Sequence, residues 1–471
     1  MDAPESAETT ESSRFPQDAG TLNELLRVSI PLIISTGSLS VMGIVDRMLL
    51  TGLSVDALSA SMPAGMLHWT MISLPFGVVT YVNTFTAQYE GAARKDRVAA
   101  CIWQGLWMAI LGGAIICALI PAVCRLIPYN GHPAAVQRLE AEYYSILAMG
   151  SIPMLAANVF SAFFAGRGRT FIVMLVNLGA MVCNALLDYV LIFGMGFIPK
   201  LGMAGAAWAT VLSNVGSCLV FIWLTRLEAR RYGYPFAVQC GWDQGLISRM
   251  VLYGLPNGVQ MLTDVGAYMV FILMTGVLGE HELAATNLAF NLNSMAFVPM
   301  MGMGTAVLTL VGRRVGEGRP ELAVRTTWLA MATSGLYMLF FCILYVGIPS
   351  LLLAPYAYFA TRSDRPQEFA AIQPIVIVLL RYVAVYSIFD AMLIVFGNAI
   401  RGAGDVRYSL IVTTLVAWIV MAIPCVLIAT VYPAPGVNGC WAAATASIVI
   451  SGILMLLRFR KGYWREMKVI E

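Results

Sequence analysis

The chain has 471 residues, 59% of them hydrophobic and only 12% charged, with a formal net charge of +3 at pH 7. A soluble domain of this size carries about a quarter charged residues, so the composition excludes an ordinary water-soluble enzyme or binding module and marks an integral membrane protein. The small net charge gives no basis for a nucleic-acid partner. The chain opens on "MDAPESAETTESSRFPQDAG", which is polar and acidic and lacks the basic and apolar regions of a signal peptide. Residues 1–22 are expected to be a disordered cytoplasmic tail.

A helix needs roughly 20 apolar residues to cross the hydrocarbon. On that basis twelve spans are expected, near 26–53, 57–88, 98–127, 140–165, 170–196, 202–226, 246–278, 283–312, 322–353, 371–400, 407–432 and 437–459. Basic residues gather in the loops after every second span: Arg94/Lys95/Arg97, Arg167/Arg169, Arg226/Arg230/Arg231, Arg313/Arg314/Arg319, Arg401/Arg407 and Arg458/Arg460/Lys461. With the N-terminal tail, that face holds 22 of the 29 Lys and Arg residues, which makes it cytoplasmic, with both termini on it.

The chain also repeats itself. "SLPFGVVTYVNTFTAQYEGAARKDRV" is echoed by "FVPMMGMGTAVLTLVGRRVGEGRPELAV", so that Pro75 matches Pro299 and Gly91 matches Gly316. "AGRGRTFIVMLVN" is echoed by "IRGAGDVRYSLIV" and "LGMAGAAWAT" by "PGVNGCWAAA". Each copy has six spans, so both enter the membrane alike, as a parallel repeat. The expected fold is an all-α polytopic membrane protein, with two six-helix bundles around a central cleft. The N-lobe covers 23–226, a cytoplasmic linker 227–245, the C-lobe 246–460 and a cytoplasmic tail 461–471. Two covalently joined lobes make a monomer the default. The nine cysteines are scattered, without a CxxC or a His partner at metal spacing.

Ionisable residues inside membrane spans mark function by default. Four acids qualify: Asp46 in the first span, Asp188 in the fifth, Asp264 in the seventh and Asp390 in the tenth. Each has polar company at helical spacing. Ser35 and Ser38 accompany Asp46, and Asn177 and Asn184 accompany Asp188. Asn257, Gln260 and Tyr268 accompany Asp264, while Tyr382, Tyr386 and Asn398 accompany Asp390. The eighth span adds Asn287, Asn291 and Ser294. These stripes are expected to face a wet cavity, with interhelical hydrogen bonding as their simpler role. Within the apolar spans only Arg47 and Arg381 offer positive charge. At least two acids therefore have no evident cation, and each must hold a proton or bind an ion. That is the chemistry of a coupling-ion site. No other cofactor is expected. The surplus of acids favours a small cationic or amphipathic substrate, and membrane lipid is the remaining partner.

At these residues the chain resembles the multidrug and toxic compound extrusion (MATE) transporters, in their NorM-like bacterial branch. The likeness runs over about 23–460, through "GIVDRMLLTGLS", "TAQYEGA", "GRGRT", "NALLDYVLIFG", "GLPNGVQMLTDVG", "FNLNSMAFVPM", "FDAMLIVFGNAIRGAGD" and "PGVNGCWAAATA". No single string is decisive; their order and spacing carry the match. The resemblance implies export of organic cations and other amphipathic toxins in exchange for protons or sodium, across a bacterial inner membrane. It assigns Asp46, Asn184 and Asp188 to a cation site of the N-lobe and Asp264 and Asp390 to one of the C-lobe, where sodium is the metal to consider. Two positions depart from the family pattern. Arg47 stands where relatives carry a small or hydroxylic residue, which suits an internal counter-ion. Asn287 stands where many have Gln.

Three rival readings are weaker. A lipid-linked sugar flippase of the same superfamily calls for a basic cavity. An intramembrane prenyltransferase would use "NALLD" as the start of a Mg-diphosphate motif, but Ile192 occupies the next acidic position and no second acid-rich motif follows. A channel fits the duplicated bundle less well than alternating access. HExxH and GxxxxGK[ST] are absent, so no metalloprotease or ATP site is expected.

Overall fold

The computed structural model describes residues 19–195, 198–360 and 366–471, so most of the expected N-terminal tail lies outside the described residues. Three polar side chains start helices by accepting the N–H of the third residue on: Thr21 from Glu24 (3.3 Å), Ser54 from Ala57 (3.1 Å) and Asp243 from Leu246 (3.0 Å). The first half comprises α1 (Leu22–Thr51), α2 (Val55–Thr80), α3 (Val82–Gly91), α4 (Lys95–Leu126), α5 (Ala134–Met149), α6 (Ser151–Gly166), α7 (Thr170–Phe193) and α8 (Met203–Tyr232). The second comprises α9 (Gln244–Leu278), α10 (Glu280–Gly316), α11 (Pro320–Gly347), α12 (Pro349–Ala360), α13 (Pro366–Ala403), α14 (Val406–Val416), α15 (Ile423–Thr430) and α16 (Gly436–Lys461).

Among the described residues ten helical segments are long and apolar enough to cross a membrane, and α5 with α6 forms an eleventh candidate. The 26 residues of α2 reach about 39 Å at 1.5 Å per residue, but His68, Pro63 and Pro75 dilute their hydropathy. Three expected spans are broken rather than straight. The second is interrupted at Tyr81, where α3 begins, and the fourth turns by 43° at Gly150. The eleventh widens into a π-turn over Ala417–Ala422, just before Pro424. A proline inside a helix has no N–H to donate and crowds the carbonyl four residues back, and a widened turn relieves both.

Contacts gather within each half. In the N-lobe α1 packs on α7, α2 on α5, α4 on α6, and α8 on α7 and α6; in the C-lobe α13 packs on α10, α11 and α16, and α9 on α14 and α15. The lobes meet through α1 with α10, α2 with α9, and α3 with α10. A Cβ on Gly77 would lie 2.5 Å from the Gly258 Cα, and one on Gly302 would lie 2.6 Å from the Ile33 Cα. An offset of 225 residues carries Gly77 to Gly302 and Ile33 to Gly258, so these are one contact made twice. The parallel repeat read in the sequence is thus a real axis of the fold.

Several of the hydrogen bonds that tie the lobes together lie toward the end carrying the arginine clusters. Asn257 donates to the Gly77 carbonyl (2.6 Å), Asn83 to Thr309 Oγ1 (2.9 Å), Tyr81 to the Arg401 carbonyl (2.8 Å) and Gln88 to the Gly402 carbonyl (2.9 Å). The segment after α16 adds to this seam. Trp464 is buried against Phe459, and the Val469 N–H donates to Gln88 Oε1 (3.1 Å). The expected linker begins as the end of α8 and then lies on α4, where Trp103 and Gln104 donate to the Phe236 and Gly241 carbonyls.

Asp243 closes that connection. The Leu246 N–H and then the Arg97 guanidinium, 2.7 Å away, hold its carboxyl below the ordinary Asp value. A lowered pKa stabilises the fold above the unfolded-state value near pH ~4, and the benefit disappears as pH falls through the folded-state value. Asp243→Ala is expected to lower stability by about 1 kcal/mol at neutral pH. Thermal unfolding in detergent should show the deficit at pH ~7 and a smaller one at pH ~3.

Candidate functional site

The face of α1 that carries Ser35 and Asp46 is turned to α7. Asn177 donates to Ser35 Oγ (2.6 Å), and three turns further along α1 Asp46 meets Asn184 and Asp188. The Asn184 amide, oriented by its neighbours, donates to Asp46 Oδ1 (2.9 Å) and Asp188 Oδ2 (3.1 Å). The Asp46 and Asp188 side chains are also within hydrogen-bonding reach of each other. Asn184 and Asp188 are wholly buried, Asp46 is half-buried, and Asp188 Oδ1 has no partner. No ion pair to a basic side chain is found for either acid among the described residues. Two carboxylates in hydrogen-bond contact cannot both stay ionised without a cation, so the pair holds a proton or an ion. Buried Tyr143 of α5 lies within electrostatic reach of both acids. The sequence reading missed it, because nothing in the pattern of α5 singles it out.

The two C-lobe acids have different nearest partners. Asp264 is exposed, with the Gln260 side chain at hydrogen-bonding distance and Arg401 within electrostatic reach. Gln260 is itself buried and accepts from Ser409 Oγ (3.1 Å). Asp390 is buried in a different neighbourhood, beside Tyr386, which also feels Tyr268 and Tyr345. Tyr268 stands edge-on to Phe290 at 5.4 Å. Among the described residues no three His, Cys, Asp or Glu side chains converge as a metal cluster.

Arg401 corrects the sequence reading, which grouped it with the loop cations. It lies in the last turn of α13, and its side chain reaches back into the seam. It donates to the Gly397 carbonyl (3.3 Å), Asn398 Oδ1 (3.1 Å) and Asn257 Oδ1 (3.5 Å). Asn257 is thereby a seam residue, bonded to both lobes. Asn287, Asn291 and Ser294 form an exposed stripe along α10; Asn291 donates to the Asn287 carbonyl and Ser294 to the Asn291 carbonyl. Polar residues exposed along the middle of an apolar helix fit a water-filled cleft. Arg47 is exposed as well, and no ion pair to it is found among the described residues.

Two covalently linked helical bundles, tied together by hydrogen bonds and carrying acids within their membrane spans, define a membrane transporter. The chain belongs to the MatE family, whose model matches residues 31–190 and 256–427. It is 28% identical over 444 residues to a probable multidrug resistance protein NorM of Burkholderia mallei, covering 92% of each chain. It is 26% identical over 407 residues to the multidrug resistance protein PmpM of Pseudomonas aeruginosa, covering 84% of this chain and 82% of that one. Its fold matches a multidrug resistance MATE family transporter of the MOP superfamily in an outward-facing conformation, with a TM-score of 0.83 and 22% identity over 93% of this chain and 95% of the other.

Proposed function

We propose that the chain is a multidrug efflux antiporter that exports organic cations and other amphipathic compounds in exchange for protons. The observation that carries this reading is the Asp46–Asn184–Asp188 group, two carboxylates in contact that make no ion pair among the described residues, with Arg47 acting on Asp46 only at a distance. Taken as a donor to both acids, at 2.9 Å from Asp46 Oδ1 and 3.1 Å from Asp188 Oδ2, the Asn184 amide suits a shared proton better than a sodium ion, whose ligands are oxygens. Protonation changes how α1 holds α7. The same helix touches α10 through Ile33 and Thr36, whose hydroxyl donates to the Val298 carbonyl (3.4 Å). A shift of α1 therefore acts directly on the seam between the lobes.

The arginine clusters support a closed seam on the cytoplasmic face of a bacterial inner membrane and an open cleft on the opposite face. In this reading both termini are cytoplasmic, the working unit is a monomer, and the arrangement is outward-open. Asp264 and Asp390 take part in substrate and ion handling from separate positions in the C-lobe.

Proteoliposomes holding the pure protein and a fluorescent organic cation test the coupling. Efflux is expected under an imposed proton gradient and not under a sodium gradient alone. Efflux driven only by sodium would overturn the coupling assignment, and no movement under either would favour a lipid-linked anionic substrate.

A further inference from the structure

Residues 464–471 follow α16 and start on the C-lobe. Trp464 is fully buried and stacked on Phe459 of α16, with ring centroids 5.1 Å apart, and its indole N–H donates to the Phe459 carbonyl (2.9 Å). A buried indole with its N–H satisfied is a firm anchor. Further along the tail, two residues each touch both lobes at once.

Val469 is the first. Its side chain is buried over Gly404, just past α13, where a Cβ would lie 3.0 Å from Val469 Cγ1. Its N–H crosses to the N-lobe and donates to Gln88 Oε1 of α3 (3.1 Å). Gln88 is itself buried, and its amide donates to the Gly402 (2.9 Å) and Ala403 (3.2 Å) carbonyls. Glu471 is the second. One of its carboxylate oxygens accepts from Arg249 of α9 and the other from Arg97 of α4 (3.5 Å). A single carboxylate thus joins a cation of the C-lobe to a cation of the N-lobe.

The two sets of contacts have different fates when the lobes part. Separation at this face leaves the Trp464 anchor untouched but breaks Val469 from Gln88 and Glu471 from Arg97. The Gln88 oxygen loses its donor at a buried site, which is costly. Glu471, already exposed, returns to water with little loss. Lys468 lies between them, exposed and with no partner found among the described residues.

The arrangement is a hook hinged on one lobe and caught on the other. Resting on the efflux reading above, in which the cytoplasmic seam opens during the cycle, we propose that residues 467–471 are a latch. They hold the lobes together on the cytoplasmic side, and they release Gln88 and Arg97, while staying on the C-lobe, each time that side opens.

The chain carries its own reporters. Cys101 of α4 is fully buried and within electrostatic reach of Arg97 and Arg249, the two cations that hold Glu471. Cys425 is equally buried, in α15, which packs on α9 and α16 within the C-lobe. The full chain in detergent is treated with N-ethylmaleimide, and labelling of each cysteine is timed by peptide mass spectrometry for wild type, Glu471→Gln, Val469→Asp and Lys468→Ala. Labelling of Cys101 is expected to rise about 2- to 5-fold in Glu471→Gln, the range of an exposed ion pair. It should rise about tenfold or more in Val469→Asp, which places a charge at a buried site. Cys425 labelling, and both rates in Lys468→Ala, should stay at wild-type values. A Cys101 rate in Val469→Asp within about twofold of wild type would overturn the proposal. A joint rise at Cys101 and Cys425 in Glu471→Gln would overturn it too, since the tail would then support the whole fold rather than the seam. The assay uses neither substrate nor gradient, so failure here leaves the efflux reading standing, and the liposome experiment alone decides that reading.

Discussion

Asp188→Asn is expected to reduce proton-driven efflux to the level of empty liposomes while the protein folds and still binds substrate. The substitution keeps the size and planarity of a wholly buried side chain that touches Asn184. It removes the group that can share a proton with Asp46. The stability of the variant should match or exceed that of wild type, because the neutral amide removes an ionisable carboxyl that is wholly buried and makes no ion pair among the described residues. Asp46→Asn should give the same loss of transport. Parallel measurements of efflux, substrate binding and thermal unfolding separate this outcome from misfolding. Full coupled transport in either variant would remove the N-lobe pair from the mechanism.

Gly316→Val should disable the transporter by a different route. A Cβ at Gly316 would sit 2.0 Å from the Gln88 carbonyl oxygen, and its repeat mate Gly91 faces the Arg313 carbonyl at 2.2 Å. Both obstacles are backbone, so the clash is relieved only by separating α3 from α10. Overpacking of this kind costs about 1–3 kcal/mol, which shifts a two-state equilibrium by about 5- to 150-fold. The cytoplasmic seam should open, efflux should fall, and amide exchange should accelerate along α3 and the end of α10. Gly216→Val in α8 is the control, since nothing lies within 4 Å of its would-be Cβ. Wild-type efflux and exchange in Gly316→Val would mean that closure of this seam is not part of the cycle.

The parts of this site that were legible in the sequence are those that one helix carries on one face. Asn184 and Asp188 are four residues apart, and their common face is the one that meets Asp46. The repeat was legible because both copies keep the glycines of the seam, whose spacing is dictated by backbone contact. What escaped depends on direction through space. Arg401 reads as a loop cation because it ends a helix, yet its long side chain folds back to Asn398 and Asn257. The break at Tyr81 and the bend at Gly150 leave hydropathy unchanged, since an apolar window records length and not course. The burial of Trp464 and Val469 follows from what the tail packs against, which a polar terminal stretch does not announce.

If the Asp46–Asp188 pair holds the proton exchanged for substrate, binding of substrate must displace that proton, and the protons can be counted. The pure protein in weak buffer with a pH indicator is mixed with saturating organic cation. Wild type should release about one proton per substrate bound, as linkage between two competing ligands requires. Asp46→Asn and Asp188→Asn should bind substrate without that release. Release that persists undiminished in both variants, or wild-type binding that needs sodium and releases no proton, would contradict the account.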